Sequence, residues 1–344
     1  MKEFLDRVFQ LESLAIIGME KNVGKTTALN YIIAGAKANA VLGLTSIGVD
    51  GETEDIVTGT EKPAIYVHRG TLLATAKNPL LSSDITKEIL YTTGIQTPMG
   101  EVVIFRALSD GYVELMGPSI NAYLRVVIRK LRELGCSTVI VDGALNRSSS
   151  ADPSISEGVL LATGAALSSD RAAVVARTAH KLRLLSIPYE TDKEVLHLLQ
   201  KALDTSRIIF IKASVLEASK EPTVLGAEVA IIEALNNGAS GVAIKGVVGD
   251  RLIQQLLRQV QKPEEKTIYV EDGTKLFINS ENYERLLRKG FKVRALNPIR
   301  VIAISVNPYS PEGFSIDSKR LCQELYEETR LPIVDVVSCI GVGL

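Results

Sequence analysis

Gly24-Lys25-Thr26-Thr27 is the stretch in which residue type and spacing most directly define a chemistry. A lysine and a hydroxyl after a glycine, at the start of a helix, are parts that hold phosphate. The apolar run Leu14–Ile17 before it reads as a buried strand, and Leu29, Ile32 and Ile33 after it read as one face of a helix. Gly18 to Gly24 is the connecting turn, with Asn22 and Val23 leading into Gly24. Strand, glycine-bounded turn, Gly-Lys-Thr and helix together predict a phosphate-binding loop. Backbone N–H groups and the helix dipole there favour negative charge. Lys25 is expected to reach the β- and γ-phosphates, and the Thr26 hydroxyl to sit on Mg2+. Five residues separate Gly18 from Gly24, where the common pattern has four, and Met19 stands where the first glycine usually falls.

Carboxylates come next. Val139-Ile140-Val141-Asp142 is an apolar strand ending in an acid, about 115 residues after the loop. A carboxylate there can hold magnesium opposite Thr26. Asp50 lies in the polar loop that follows the second apolar run, Ala40–Ile47, and is a candidate to order a metal-bound water or the attacking nucleophile. The ordinary reading of Asp50-Gly51 is a turn. Glu52, Glu54 and Asp55 read as a solvated acidic loop, whose mutual repulsion magnesium would relieve. Arg147 reads first as a surface arginine, and alternatively as a neutraliser of γ-phosphate charge. Asn307-Pro308 follows the strand Val301–Val306 and is either a turn or an amide that reads a nucleotide base. In parallel α/β sheets, loops at the carboxyl ends of strands line the ligand crevice.

The elements that must position these groups follow a strand–helix rhythm. Residues 1–12 are an amphipathic lead-in. Residues 61–118 break the rhythm: a strand Pro63–His68, a helix Leu80–Tyr91, then strands Glu101–Leu108 and Tyr112–Met116 joined by Ser109-Asp110-Gly111, a hairpin signal. This region is expected to be an antiparallel excursion that covers the site or binds a partner. Ser119 is expected to cap a helix running to Leu134. The strand Ser137–Val141, the apolar segment Val159–Leu167 and the helix Asp170–Leu185 follow. From Thr191 onward, strands Ile208–Lys212, Gly241–Val248, Thr267–Val270, Val301–Val306 and Ile333–Val337 alternate with helices. The expected organisation is a P-loop core over 1–190, with its insertion at about 61–118. Residues 191–344 continue the α/β pattern and leave room for a second lobe that returns to the core at 300–344.

Bulk properties narrow the function. Hydrophobic residues make up 46%, enough for a sizeable core, and net charge is −1. Neither nucleic acid nor an anionic membrane has an electrostatic case. The first residues do not read as a secretory signal, and no apolar run reaches the roughly 18 residues of a membrane span. Three scattered cysteines suit reduced thiols in a cytoplasm. The three histidines are isolated, so a histidine metal site is not expected.

Gly18 to Thr27, with its five-residue spacing and Val23 before Gly24, resembles the loop of dethiobiotin synthetases and the cobyric-acid-synthase-like P-loop proteins. The tail is similar too: strand, Asn307-Pro308, helix, then EETRLPIVDVV (Glu327–Val337). In that group the asparagine after the late strand contacts adenine, and an acidic residue falls near Asp50. The signature lysine of the septum-site and partitioning ATPases is not found; Glu20 stands at its position. Over the whole chain, IIGMEKNVGKTTALN, LTSIGVDGETED and VIVDGALNRSSSADPS resemble the P-loop subunits of lysine 5,6-aminomutase reactivases. That family implies an ATP-dependent helper of a cobalamin- and PLP-dependent aminomutase, acting with a second ATPase subunit.

The expected fold is therefore an α/β, P-loop NTPase-like three-layer sandwich with a mainly parallel sheet and an antiparallel insertion. The expected activity is Mg2+-dependent hydrolysis of ATP, in a cytoplasmic protein that can pair with a second copy of itself. Lys25, Asp50 and Asp142 are its catalytic candidates. Gly18, Asn22, Val23, Gly24, Lys25, Thr26, Thr27 and Asn307 are its nucleotide-binding candidates; Thr26, Asp142 and Asp50 its metal-binding ones. Two other classes stay open: a small-molecule ligase of the dethiobiotin synthetase type, and a binding module in which nucleotide only fixes conformation. GTP is less favoured, because no Asn-Lys-x-Asp guanine motif is evident.

Overall fold

The computed structural model describes residues 1–36, 40–48, 65–143, 151–152, 154–213 and 215–344. Asp50, Arg147 and the acidic loop beyond Gly48 lie outside the described residues. The chain forms two compact units, Met1–Lys181 with Arg300–Leu344, and Leu182–Ile299. No helix among the described residues is long and apolar enough to cross a membrane.

Unit 1 opens with α1 (Lys2–Phe9), β1 (Ser13–Gly18), α2 (Lys25–Ala34) and β2 (Leu42–Ser46). It continues through β3 (Ile65–Val67), β4 (Leu72–Ala76), α3 (Lys77–Ser82), β5 (Lys87–Thr97), β6 (Gly100–Ala107) and β7 (Gly111–Val113). Then come α4 (Asn121–Glu133), β8 (Thr138–Asp142), β9 (Gly158–Gly164) and α5 (Arg171–Leu185). Unit 2 carries α6 (Lys193–Thr205), β10 (Ile208–Lys212), β11 (Val215–Ala218), α7 (Glu228–Asn236) and β12 (Gly241–Ile244). After β13 (Val248–Gly249) and α8 (Asp250–Gln259) follow β14 (Thr267–Val270), β15 (Leu276–Phe277), α9 (Ser280–Arg288) and β16 (Lys292–Ala295). The chain re-enters unit 1 at β17 (Val301–Asn307), followed by α10 (Ser318–Thr329), β18 (Ile333–Asp335) and β19 (Ile340–Val342).

The protein is a mixed α/β structure with a large, mostly parallel central sheet. Among the described residues, ten strands run in the order β19-β18-β17-β9-β1-β8-β2-β4-β6-β5. From β18 to β4 all neighbours are parallel. β19 at one end, and β6 with β5 at the other, are antiparallel. The parallel strands are apolar nearly throughout because both faces are covered. Leu14, Ile140 and Leu44 stand in register across β1, β8 and β2 and pack with Phe4, Val8, Leu29 and Ile32 of the two N-terminal helices. Val139 and Val141 point to the other face, toward Leu124, Val127 and Leu131 of α4.

Unit 2 has its own five-stranded sheet, β11-β10-β12-β14-β16, and its own core. β12, β14 and β16 are parallel, while β10 runs antiparallel to both its neighbours.

Several expectations from sequence are corrected here. The predicted helix Leu80–Tyr91 is instead a short helix followed by a long strand. Residues 87–97, KEILYTTGIQT, are rich in β-branched and aromatic types that favour a pleated surface. Register shifts at Ile89/Tyr91 and Thr92/Gln96 break the strict alternation that would have marked the strand. The predicted hairpin between Glu101–Leu108 and Tyr112–Met116 is not formed. β6 pairs with β5 through a turn at Pro98-Met99, and β7 pairs with β3. Asp110 does hold a turn, but its carboxylate accepts from the Arg69 amide at 2.7 Å, drawing the chain toward β3. Ser119 does not cap α4: the cap position is Ile120, with no side-chain bond. Its backbone is pressed against Gly48, where an added Cβ would stand 2.8 Å from the Ser119 nitrogen. The predicted strand Gly241–Val248 breaks into β12 and β13, and Val159–Leu167 into β9 and a short turn of 3-10 helix.

Candidate functional site

β1 lies in the middle of the parallel set, between β8 and β9, and ends at Gly18. The segment from Gly18 to Gly24 therefore emerges at the carboxyl edge, between two other strand ends. Met19 donates its backbone N–H to the Ala162 carbonyl of β9 at 2.9 Å, which ties the start of the segment down. Asn22 and Gly24 both adopt the left-handed conformation, at φ 59° and 83°. Val23 between them is only 1% exposed. This pair of turns places Gly24 at the N-cap of α2 without any side-chain cap, and no acidic residue occupies the first turn. The orphan amides of a helix start and the helix dipole together favour an anion at such a position.

Lys25 does not extend along α2. Its side chain folds back over Gly18, so that a Cβ at residue 18 would stand 2.8 Å from Nζ and 2.9 Å from Cδ. Burial pushes the Lys25 ammonium below its ordinary pKa, while the charges of Asp142 and Glu20 work against that shift. Asp142 is half-buried at the end of β8, opposite Ile16 of β1 and Ser46 of β2. The Gly143 N–H donates to the Ile16 carbonyl at 2.9 Å and the Ile47 N–H to the Asp142 carbonyl at 3.1 Å, which fixes the strand end. Thr26 is half-buried and Thr27 exposed on the first turn of α2.

Gly18, Asn22, Val23, Gly24, Lys25, Thr26 and Thr27 are thus one continuous loop and helix start, and the field of Asp142 reaches its lysine. Asp50 lies outside the described residues. Asn307 is brought to the same place from the far end of the chain. Its Nδ2 donates to the Asn22 carbonyl at 3.0 Å, and its Oδ1 accepts from the Tyr309 N–H at 3.2 Å. Glu20 faces Arg177 of α5 at 3.7 Å, and Arg177 also donates to the Leu167 carbonyl.

Three residues with specific structural roles escaped the sequence reading. Gly164 ends β9 at φ 154°, where a Cβ would fall 1.9 Å from the Asn307 carbonyl oxygen. Arg177 gave no local signal, because its partner Glu20 is far away in sequence. Asp335 is fully buried and accepts from Ser318 Oγ at 2.5 Å, Val337 N at 2.9 Å and Ser338 N at 3.0 Å. An acid inside the apolar run Ile333–Val337 was the available clue to it.

Among the described residues no group of three or more His, Cys, Asp or Glu side chains could hold an ion. Mg2+ keeps several waters and takes few protein oxygens beside phosphate. Thr26 and Asp142 offer a hydroxyl and a carboxylate of that kind. Comparison of the chain with protein-family models, curated proteins and solved structures gave no match.

The left-handed turn at residue 24 is a point of high sensitivity. Gly24→Ala adds a Cβ at 2.9 Å from that of Asn307, in a conformation costing an L side chain about 1–2 kcal/mol. Affinity for tripolyphosphate is expected to fall about tenfold, read by calorimetry. An unchanged affinity means the loop does not hold phosphate.

Proposed function

We propose that unit 1 is a P-loop NTPase that binds and hydrolyses ATP with Mg2+. The observation that carries this reading is the path of Lys25, folded across Gly18 at the head of a helix whose N-cap residue, Gly24, offers no side-chain cap. Lys25 and those amides hold the phosphates and meet the charge that grows as the γ-phosphoryl leaves. Asp142 and Glu20 favour the charged form of a lysine that burial discourages. Thr26 and Asp142 supply the oxygens for magnesium. When bound, the ion neutralises charge on the phosphate oxygens. Asp50 keeps the role the sequence suggests, orienting water. Calorimetry of ATP with and without magnesium tests the reading, and absence of binding in both overturns it.

Asp142→Ala is expected to lower magnesium-dependent turnover about 10- to 100-fold, the usual range for weakening a metal's support. Magnesium titration of phosphate release measures it. Unaltered metal dependence would leave Asp142 a structural residue.

The driven process is proposed from sequence resemblance: an ATP-dependent reactivase that loosens a cobalamin- and PLP-dependent aminomutase, with a second ATPase subunit, so that damaged cobalamin exchanges. Affinity capture from the native cell with and without ATP tests it. Capture of an aminomutase supports the role; its absence in both removes the role and leaves the ATPase standing. A ligase of the dethiobiotin synthetase type needs a second polar pocket. Phosphate release by the purified protein with no co-substrate would exclude the ligase.

A further inference from the structure

We infer that Asn307 is a positioning residue that sets the shape of the phosphate loop, in place of reading the base. The inference rests on the nucleotide-binding role proposed above and assigns one residue's part in it.

The geometry is a chain of close approaches between three strand ends. β17 is not next to β1; β9 lies between them. Neighbouring strands are about 4.8 Å apart, so the end of β17 stands roughly two such steps from the end of β1. An asparagine side chain reaches the loop across that gap only if nothing projects from the end of β9. Gly164 meets this condition, since any Cβ there would collide with the Asn307 backbone. On the far side, the Asn307 Cβ fills the space beside Gly24 where that residue's own Cβ would be, at 2.9 Å. Two glycines, remote in sequence, therefore make room for the same asparagine.

The amide then bonds to backbone at both ends. Nδ2 donates to the Asn22 carbonyl, and Oδ1 accepts from the Tyr309 N–H. These bonds orient the amide: reversing it would set donor against donor and acceptor against acceptor. The bond falls on Asn22, the non-glycine residue of the loop that is left-handed, at φ 59°. A conformation that an L side chain rarely adopts is thus held by a strand end on one side and by the Met19–Ala162 bond on the other. The loop amides that face phosphate are set by this pair of ties. The role differs from adenine contact in a measurable way: a clamp acts on phosphate affinity whatever base is attached.

The test is calorimetric titration of the full chain with ATP, GTP and tripolyphosphate, each with magnesium, for wild type, Asn307→Asp and Asn307→Ala. Aspartate still accepts from Tyr309 but cannot donate to Asn22. The clamp predicts that tripolyphosphate and ATP weaken by the same factor, about tenfold, while the ATP-to-GTP ratio stays within about twofold. Tripolyphosphate binding that is unchanged while ATP binding falls, or an ATP-to-GTP ratio that collapses, overturns it in favour of base reading. Wild type that binds neither ATP nor tripolyphosphate removes the nucleotide role itself, a result distinct from both. Should either variant fail to fold, Asn307→Gln keeps the amide on a longer arm and is read by the same ratios. Amide exchange at Asn22–Lys25 gives a second readout: faster exchange in Asn307→Asp than in wild type without ligand supports the clamp, and equal rates oppose it.

Discussion

Under the proposed ATPase activity, Lys25→Met is expected to reduce ATP turnover about 100- to 1,000-fold, the usual loss when one donor to a developing oxyanion is removed. The nucleotide-free protein is nevertheless expected to be at least as stable as wild type at neutral pH. Burial of the Lys25 ammonium outweighs the attraction of Asp142 and Glu20, so its pKa in the fold lies below its ordinary value. Between those two pKa values the unfolded chain binds more protons than the folded one, and stability rises with pH. Below that window the charged lysine is a net penalty, and methionine removes it while keeping the apolar stem. Thermal unfolding without nucleotide should show wild type gaining on Lys25→Met as pH rises into the alkaline range. Phosphate release gives the other half of the test: a variant that turns over ATP at the wild-type rate removes Lys25 from the mechanism. Loss of function together with retained stability is the signature of a residue held in place for a ligand.

Phe105→Ala is expected to destabilise unit 1 by about 3–5 kcal/mol, the usual cost of emptying a buried phenylalanine site. Phe105 lies on β6 and is 1% exposed. It belongs to the same core as Leu14 and Ile16 of β1, through Leu73 of β4 and Leu44 of β2. Chemical denaturation followed by circular dichroism measures the effect, and a shift below about 1 kcal/mol would mark β4–β6 as an appendage. The structure makes these strands an extension of the main sheet, because β4 continues its parallel order beside β2 and β6 turns back on β4. From sequence, residues 61–118 read as an excursion from the core, with no strand at β4 and a helix over the first part of β5. Its antiparallel character was readable; its place at the end of the sheet was not.

The reason is general. Strands Ile208–Lys212 and Thr267–Val270, and the helix expected over Asp170–Leu185 and found at Arg171–Leu185, fall where the apolar residues put them, since each is marked by a local apolar run or a helical repeat. β5 failed because two register shifts spoil the alternation, and β7 failed because a turn signal states that the chain reverses without stating against what. The loop at Gly18–Thr27 was readable because its parts are adjacent in sequence. The contacts that shape it come from Ala162, Gly164 and Asn307, and from the charge on Asp142, all far away in the chain. Asn307 was noticed, but a sequence holds no record that its amide meets the Asn22 carbonyl.

The two ends of the large sheet bear on how the protein behaves when crowded. An exposed sheet edge is a template for strand addition by other molecules. At one end β19 is only three residues long. At the other, β5 is eleven residues long, but its two register shifts bend the edge and break the ladder it could offer. Among the described residues neither end presents a long, unbroken ladder of backbone groups, a feature that disfavours edge-to-edge growth even though the core strands are strongly apolar.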